Sequence, residues 1–184
     1  NAHPHVTGPV AVVHNGIIEN YRDLRAELEA AGHCFESDTD SEVVPRLIAM
    51  YLEAGDDPEE ATFRTIGRLH GAYALGILFL GVDERMIAAR RGSPLVIGLG
   101  DDTNFIASDG LALAGMANQT VHLEDGDWAT ISNDAIEIRD KHGVKVKRPV
   151  CHAATHAVYT SKDGYRHFMK KEIHEQPDAI RRTL

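Results

Sequence analysis

The spacing of apolar residues along this chain changes character twice. A first apolar run, Pro9 to Val13, ends in His14-Asn15-Gly16, and from there Ile17, Tyr21, Leu24, Leu28 and Ala31 recur at helical spacing with charged residues between them. Asn-Gly is a strong signal for a hairpin turn, but no second strand pattern follows it. The pair is therefore expected at a strand end, just ahead of a helix. "CFES" (34–37) reads as a short extended piece. Residues 38–55 read as a capped helix, with Asp40 or Ser41 at its start, Val44, Leu47, Ile48 and Tyr51 as its stripe and Gly55 as its stop. Residues 57–71 predict a further helix, with Pro58 in the first turn, acids early, Arg68 late and Gly71 at the end.

Beyond residue 71 the period shortens. Segments 72–80, 86–90, 95–100, 104–108, 120–123, 127–132, 135–140 and 144–148 are short strand patterns joined by turn-like links. Two of them are nearly unbroken apolar runs, as in strands covered on both faces, and the last three alternate as half-exposed strands do. Stacked sheets with amphipathic helices outside are the expected architecture. Residues 149–165 lack periodicity and read as a linker. A helix-prone tail follows, which Pro177 should break.

Composition narrows the function classes. A net charge of −9 over 184 residues argues against nucleic acid and anionic membrane as partners. No apolar run reaches the roughly 18–20 residues of a membrane span, and no basic-then-apolar signal opens the chain. The two cysteines, Cys34 and Cys151, are expected as free thiols in a reducing cytoplasm. The opening "NAHPHVTGPVAVV" lacks a Met and starts as if within a loop, so the sequence reads as a fragment.

Several constellations invite chemistry. The stretch 90–102 is glycine-rich but lacks the Gly-x-x-x-x-Gly-Lys of a phosphate loop, so its glycines are read as structural. His3 and His5, and separately Cys151, His152 and His156, offer metal ligands without the paired spacing of a four-ligand zinc site. No metal is therefore assigned. No Gly-x-Ser-x-Gly elbow is present. Cys34, at a strand start, reads as a buried structural thiol rather than a nucleophile. Asn15 and Gly16 could aim a carboxamide N–H and a backbone N–H at one oxyanion, or could simply shape a turn. Asp40 could cap a helix or hold an ammonium group.

Seven stretches decide between these readings. "NAHPHV", "VVHNGIIENY", "SDTDSEV", "LHGAYAL", "RRGSPLVIGLG", "NFIASD" and "KEIHEQP" together resemble the glutaminase half of the glutamine–fructose-6-phosphate aminotransferases, within the class II, N-terminal nucleophile amidotransferases. The resemblance runs along nearly the whole chain. It implies an α+β fold, the four-layer α-β-β-α sandwich, here N-terminally truncated. Residues 1–148 would be a partial glutaminase domain, and 149–184 a linker and helical tail leading to an absent sugar-isomerase domain. It also implies a mechanism in which an N-terminal cysteine attacks the amide of L-glutamine with its own α-amino group as base. Asn15 and Gly16 would form the oxyanion hole, and Asp40 would hold the α-amino group of glutamine. The ammonia would aminate fructose 6-phosphate in the other domain of a homodimer, with no cofactor. Neither Cys34 nor Cys151 matches the nucleophile, and the 151–156 segment matches no family motif. The alternatives are a degenerate glutamine-binding or regulatory module, and a metal-dependent hydrolase built on the histidines.

Overall fold

The computed structural model describes residues 3–81, 85–152 and 164–183. Two antiparallel sheets dominate residues 1–153, which form one compact unit. The larger has seven strands in the order β1-β2-β3-β4-β8-β9-β10. These are β1 (His5–Thr7), β2 (Val10–Ile18), β3 (Gly71–Phe79), β4 (Arg85–Arg91), β8 (Trp128–Ser132), β9 (Ile136–Arg139) and β10 (Lys145–Val146). The smaller runs β11-β7-β5-β6, from β5 (Val96–Leu99), β6 (Asn104–Ala107), β7 (Gln119–His122) and β11 (Val150–His152). All nine expected strands are present, the first of them β2; β1 and β11 are additional, in stretches read as loop and linker. Three residues are too few to show a period. Their partners, Val10–Val12 for β1 and Gln119–Val121 for β11, are what make them strands.

Side-chain alternation sorts the cores. On the outer face of the large sheet, Val12, Leu75, Ile77 and Ile87 pack under three helices, α1 (Tyr21–Ala30), α2 (Val43–Glu53) and α3 (Pro58–Arg68). Leu24 and Leu28 of α1 and Val44, Leu47, Ile48 and Tyr51 of α2 supply the covering stripe. The opposite face carries small residues, Ala74, Ala88 and Ala129, against Leu95, Ile97 and Val121 of the small sheet. Gly76 extends that pattern: a Cβ there would stand 2.5 Å from the Ile106 side chain, so the bare glycine admits it. The outer face of the small sheet is covered by Leu113 and Ala117, in and just after a 3-10 turn (Gly110–Leu113).

Four expectations need correcting. β2 does not stop at Val13: it pairs with β3 from Val10↔Phe79 to Ile18↔Gly71, so Asn15 and Gly16 lie within the strand. Helix α1 accordingly starts at Tyr21, and Ile17 is an exposed strand residue. Its start is fixed by Asn20, whose side chain donates to the Arg68 carbonyl and accepts from the His70 N–H, both at 2.9 Å. Residues 34–37 form no strand, because no strand lies beside them. Their backbone is held by Glu42 and by Arg25, which donates to the Ser37 carbonyl at 2.7 Å. Cys34 is exposed rather than buried.

Residues 154–184 are a separate compact unit. Its helix α4 (Phe168–Thr183) passes through Pro177 without a break. A proline removes one ladder bond and bends the axis, and helix on both sides can persist. Among the described residues no helix is long and apolar enough to cross a membrane.

Candidate active site

Asn15 and Gly16 owe their place to the β2–β3 ladder. Gly16 has φ +136°, and a Cβ there would stand 2.1 Å from the Ala72 carbonyl oxygen of the neighbouring strand. Only glycine allows that approach, so Gly16 serves strand contact rather than a hairpin turn. β1 pairs with β2 only as far as Val12, so from Val13 onward that edge of β2 has no strand partner among the described residues.

Asn15 faces the gap between the sheets. A cleft of about 390 Å³ opens there, lined by His3, Val13, His14, Asn15, Ala74 and Ile106, among others. Most of the lining is apolar, with polar groups at the His3–Asn15 end, the usual composition of a small-molecule site. A larger cavity of about 440 Å³ lies on the helical side near Phe63, Tyr73 and Lys141, and contains none of the candidate residues.

Asp40 does not cap α2. It opens a 3-10 turn (Asp40–Glu42) and turns its carboxylate toward β2, where Oδ2 accepts from the Ile18 N–H at 2.7 Å. Oδ1 accepts from the Ser41 hydroxyl at 3.3 Å. Ser41 Oγ lies 2.7 Å from Nδ1 of His14, the residue preceding Asn15. Asp40 is therefore fastened on both sides of the Asn15-Gly16 pair, through Ile18 and through His14. Half-buried, its oxygens retain lone pairs for a further donor.

Glu42 anchors the turn that carries Asp40. Its side chain accepts from the Glu36 N–H at 2.9 Å, the Ser37 N–H at 2.8 Å and the Ser37 hydroxyl at 2.6 Å, and pairs with Arg46 at 3.0 Å. Burial opposes ionisation, but Ser37, Glu36 and Arg46 outweigh it and hold the pKa at about 2. For His14, burial lowers the pKa; nearby Asp40 raises it, and His3 and His5 lower it further. The ring is 6% exposed and neutral at pH 7.

Sequence reasoning named Asn15, Gly16 and Asp40 but missed His14, Ser41 and Glu42. The dipeptide Ser41-Glu42 beside Asp40 was the available signal, since three consecutive polar residues ahead of an apolar helix exceed what one cap requires.

Of the other candidates, His3 lines the cleft, whereas His5, Cys34, Cys151 and His152 are not among its lining residues. Cys151 is exposed on β11, at the edge of the small sheet opposite β6, whose Ile106 lines the cleft. His152 is its exposed neighbour, and His156 lies outside the described residues. His3 and His5 meet edge to face, centroids 5.4 Å apart. Among the described residues no group of three His, Cys, Asp or Glu side chains could hold a metal ion. The glycines of 90–102 serve packing: at Gly98 and Gly100 a Cβ would meet Ala117 and the Thr103 carbonyl within 3 Å.

The chain is similar to known proteins over its whole length. The chain is 50% identical over all 184 residues to the glutamine–fructose-6-phosphate aminotransferase (isomerizing) of Gluconobacter oxydans, and 48% identical to that of Zymomonas mobilis. It spans 30% of the length of each. Among solved structures, glutamine phosphoribosylpyrophosphate amidotransferase from B. subtilis superposes with a TM-score of 0.64 at 27% identity, covering 76% of this chain and 30% of that one. The two-sheet α+β fold is thus that of the class II glutamine amidotransferases. A profile of the glutamine amidotransferase domain matches residues 2–115, the stretch that holds β2, the Asp40 turn and the cleft, and the chain belongs to that family.

Proposed function

We propose that this chain is the glutamine-hydrolysing part of a glutamine–fructose-6-phosphate aminotransferase, with residues 1–148 as the glutaminase part and 149–184 as linker and helical tail to a sugar-isomerase domain. The observation that carries the proposal is Asn15 on the cleft beside Gly16, with Asp40 bonded to the same strand at Ile18. The near-50% identity to aminotransferases of that name supports it.

In this reading a cysteine outside these 184 residues supplies the nucleophile, its α-amino group taking the thiol proton. The sulfur attacks the side-chain amide carbon of glutamine, and the carbonyl electrons move to oxygen. The Asn15 carboxamide N–H and the Gly16 N–H donate to that oxyanion. The cysteine's α-ammonium group passes the thiol proton to the amide nitrogen, ammonia leaves as the C–N bond breaks, and water cleaves the thioester to glutamate and the free thiol. Asp40 receives the α-ammonium group of the substrate. The ammonia aminates fructose 6-phosphate to give glucosamine 6-phosphate, in a cytoplasmic homodimer without a cofactor.

Asn15 tests the assignment. A donor that acts as charge develops affects kcat more than KM. In the complete enzyme Asn15→Ala should lose about 10²–10³-fold in glutaminase kcat. Asn15→Asp should be as poor, because a carboxylate offers no donor and repels the oxyanion. If Asn15 only shapes the backbone, Asp keeps most of the activity. Near-normal hydrolysis by Asn15→Asp overturns the proposal.

A further inference from the structure

Two residues behind Asp40 do more than fill space. His14 projects from β2 into the buried layer, and its Nδ1 lies 2.7 Å from Ser41 Oγ. Ser41, itself buried, lies 3.3 Å from Asp40 Oδ1. The direction of these bonds follows from proton counting. An ionised carboxylate can only accept, so the single hydroxyl proton of Ser41 points to Asp40. Ser41 Oγ must then accept from His14, which places the proton of the neutral imidazole on Nδ1. Nε2, buried without a hydrogen-bond partner among the described residues, is the bare nitrogen. Protonating it would strand a buried donor. The charged and titratable groups around the ring, Asp40, His3 and His5, do not outweigh burial, and His14 remains neutral.

We infer that His14 and Ser41 are positioning residues for glutamine binding: a one-way chain, His14 Nδ1–H to Ser41 Oγ–H to Asp40 Oδ1, holds the Asp40 carboxylate in place for the substrate's α-ammonium group. This rests on the proposed role of Asp40. The chain fixes one carboxylate oxygen while the Ile18 N–H fixes the other, which leaves Asp40 little rotational freedom. Because His14 is joined through the backbone to Asn15, the same chain ties the ammonium anchor to the oxyanion donor. The distance between the two ends of a bound glutamine is thereby set by one strand and one turn.

The test is a double-mutant cycle in the complete enzyme, read as KM and kcat for L-glutamine. Ser41→Ala should raise KM about fivefold, the worth of one net hydrogen bond, with kcat within twofold of the parent. Ser41→Thr, which keeps the hydroxyl, should restore KM, and His14→Asn, which keeps a donor near Nδ1, should be milder than His14→Phe. In an Asp40→Asn background, Ser41→Ala should add no further loss, because it acts only through that carboxylate. Equal losses in both backgrounds, or an unchanged KM for Ser41→Ala at an unchanged unfolding midpoint, overturn the inference. Asp40→Asn alone separates the two levels. If it leaves KM and kcat unchanged, the proposed role of Asp40 fails; if it raises KM while Ser41→Ala does not, only the positioning chain fails.

Discussion

Glu42→Gln is the perturbation whose size the structure sets most directly. Glu42 is 5% exposed, and its carboxylate is bonded to two backbone N–H groups and one hydroxyl of residues 36–37 ahead of the turn and to the Arg46 guanidinium of α2. Its pKa falls from 4.5 to about 2 on folding. That depression stabilises the fold by about 3 kcal/mol at pH 7. A depressed carboxylate pKa gives stability that is complete above the unfolded value and is lost as the pH drops through the folded one. The window is therefore pH 4.5 down to 2, and about 1 kcal/mol should remain at pH 3.

Gln keeps one acceptor oxygen but presents an NH₂ group to donors that need an acceptor, and it loses the charge facing Arg46. Urea unfolding of parent and Glu42→Gln at pH 7 and pH 3 reads the effect. The gap between them should be about 3 kcal/mol at pH 7 and should narrow by about 2 kcal/mol at pH 3. A gap that does not change with pH would mean that the Glu42 contacts act through packing rather than charge, and the reasoning would fail. Because Asp40 rides on the same turn, Glu42→Gln in the complete enzyme should also weaken glutamine binding.

Two further outcomes are expected. Gly16→Ala should destabilise by about 3 kcal/mol or more, since the new Cβ collides with the Ala72 carbonyl at a φ that alanine resists. Gly32→Ala, at φ +93° in open space, should cost only about 1–2 kcal/mol, and equal urea midpoints for the two variants would refute the close-approach argument. The purified 184-residue chain should release no glutamate from glutamine above background, because Cys34 and Cys151 are exposed and neither lines the cleft; turnover that survives removal of contaminating glutaminases would return them to consideration.

How much was legible in the sequence depended on the range of the interaction involved. Nine strands and three of the helices were readable because their signals are local: periodic burial, Pro58 at a helix start with the Asp57 side chain accepting from Glu60, Gly55 after a helix end. The roles proposed for Asn15, Gly16 and Asp40 rest on resemblance, and the residues alone left each with a plausible local use. For Asp40 and Gly16 the local use is different from the one expected. Asp40 bonds to a backbone group 22 residues away rather than to its own helix, and Gly16 answers a carbonyl on β3 rather than a turn. No short window contains either partner.

The Asn-Gly pair shows why such a site defeats local reading. Asn-Gly favours a hairpin because both residues tolerate positive φ. Here Gly16 does adopt positive φ, yet the register with β3 continues past it to Ile18 and Gly71. The ladder overrides the turn preference, and the glycine lets two backbones approach more closely than side chains would permit. A strand with a bare residue at that point, an edge beyond Val12 without a strand partner among the described residues and a polar carboxamide next door is a poor design for stability. It is a good one for directing N–H groups at a ligand. The residues that break the local rules of a strand are the same ones that line or flank the cleft, so the misreading of residues 14–18 falls on the proposed site.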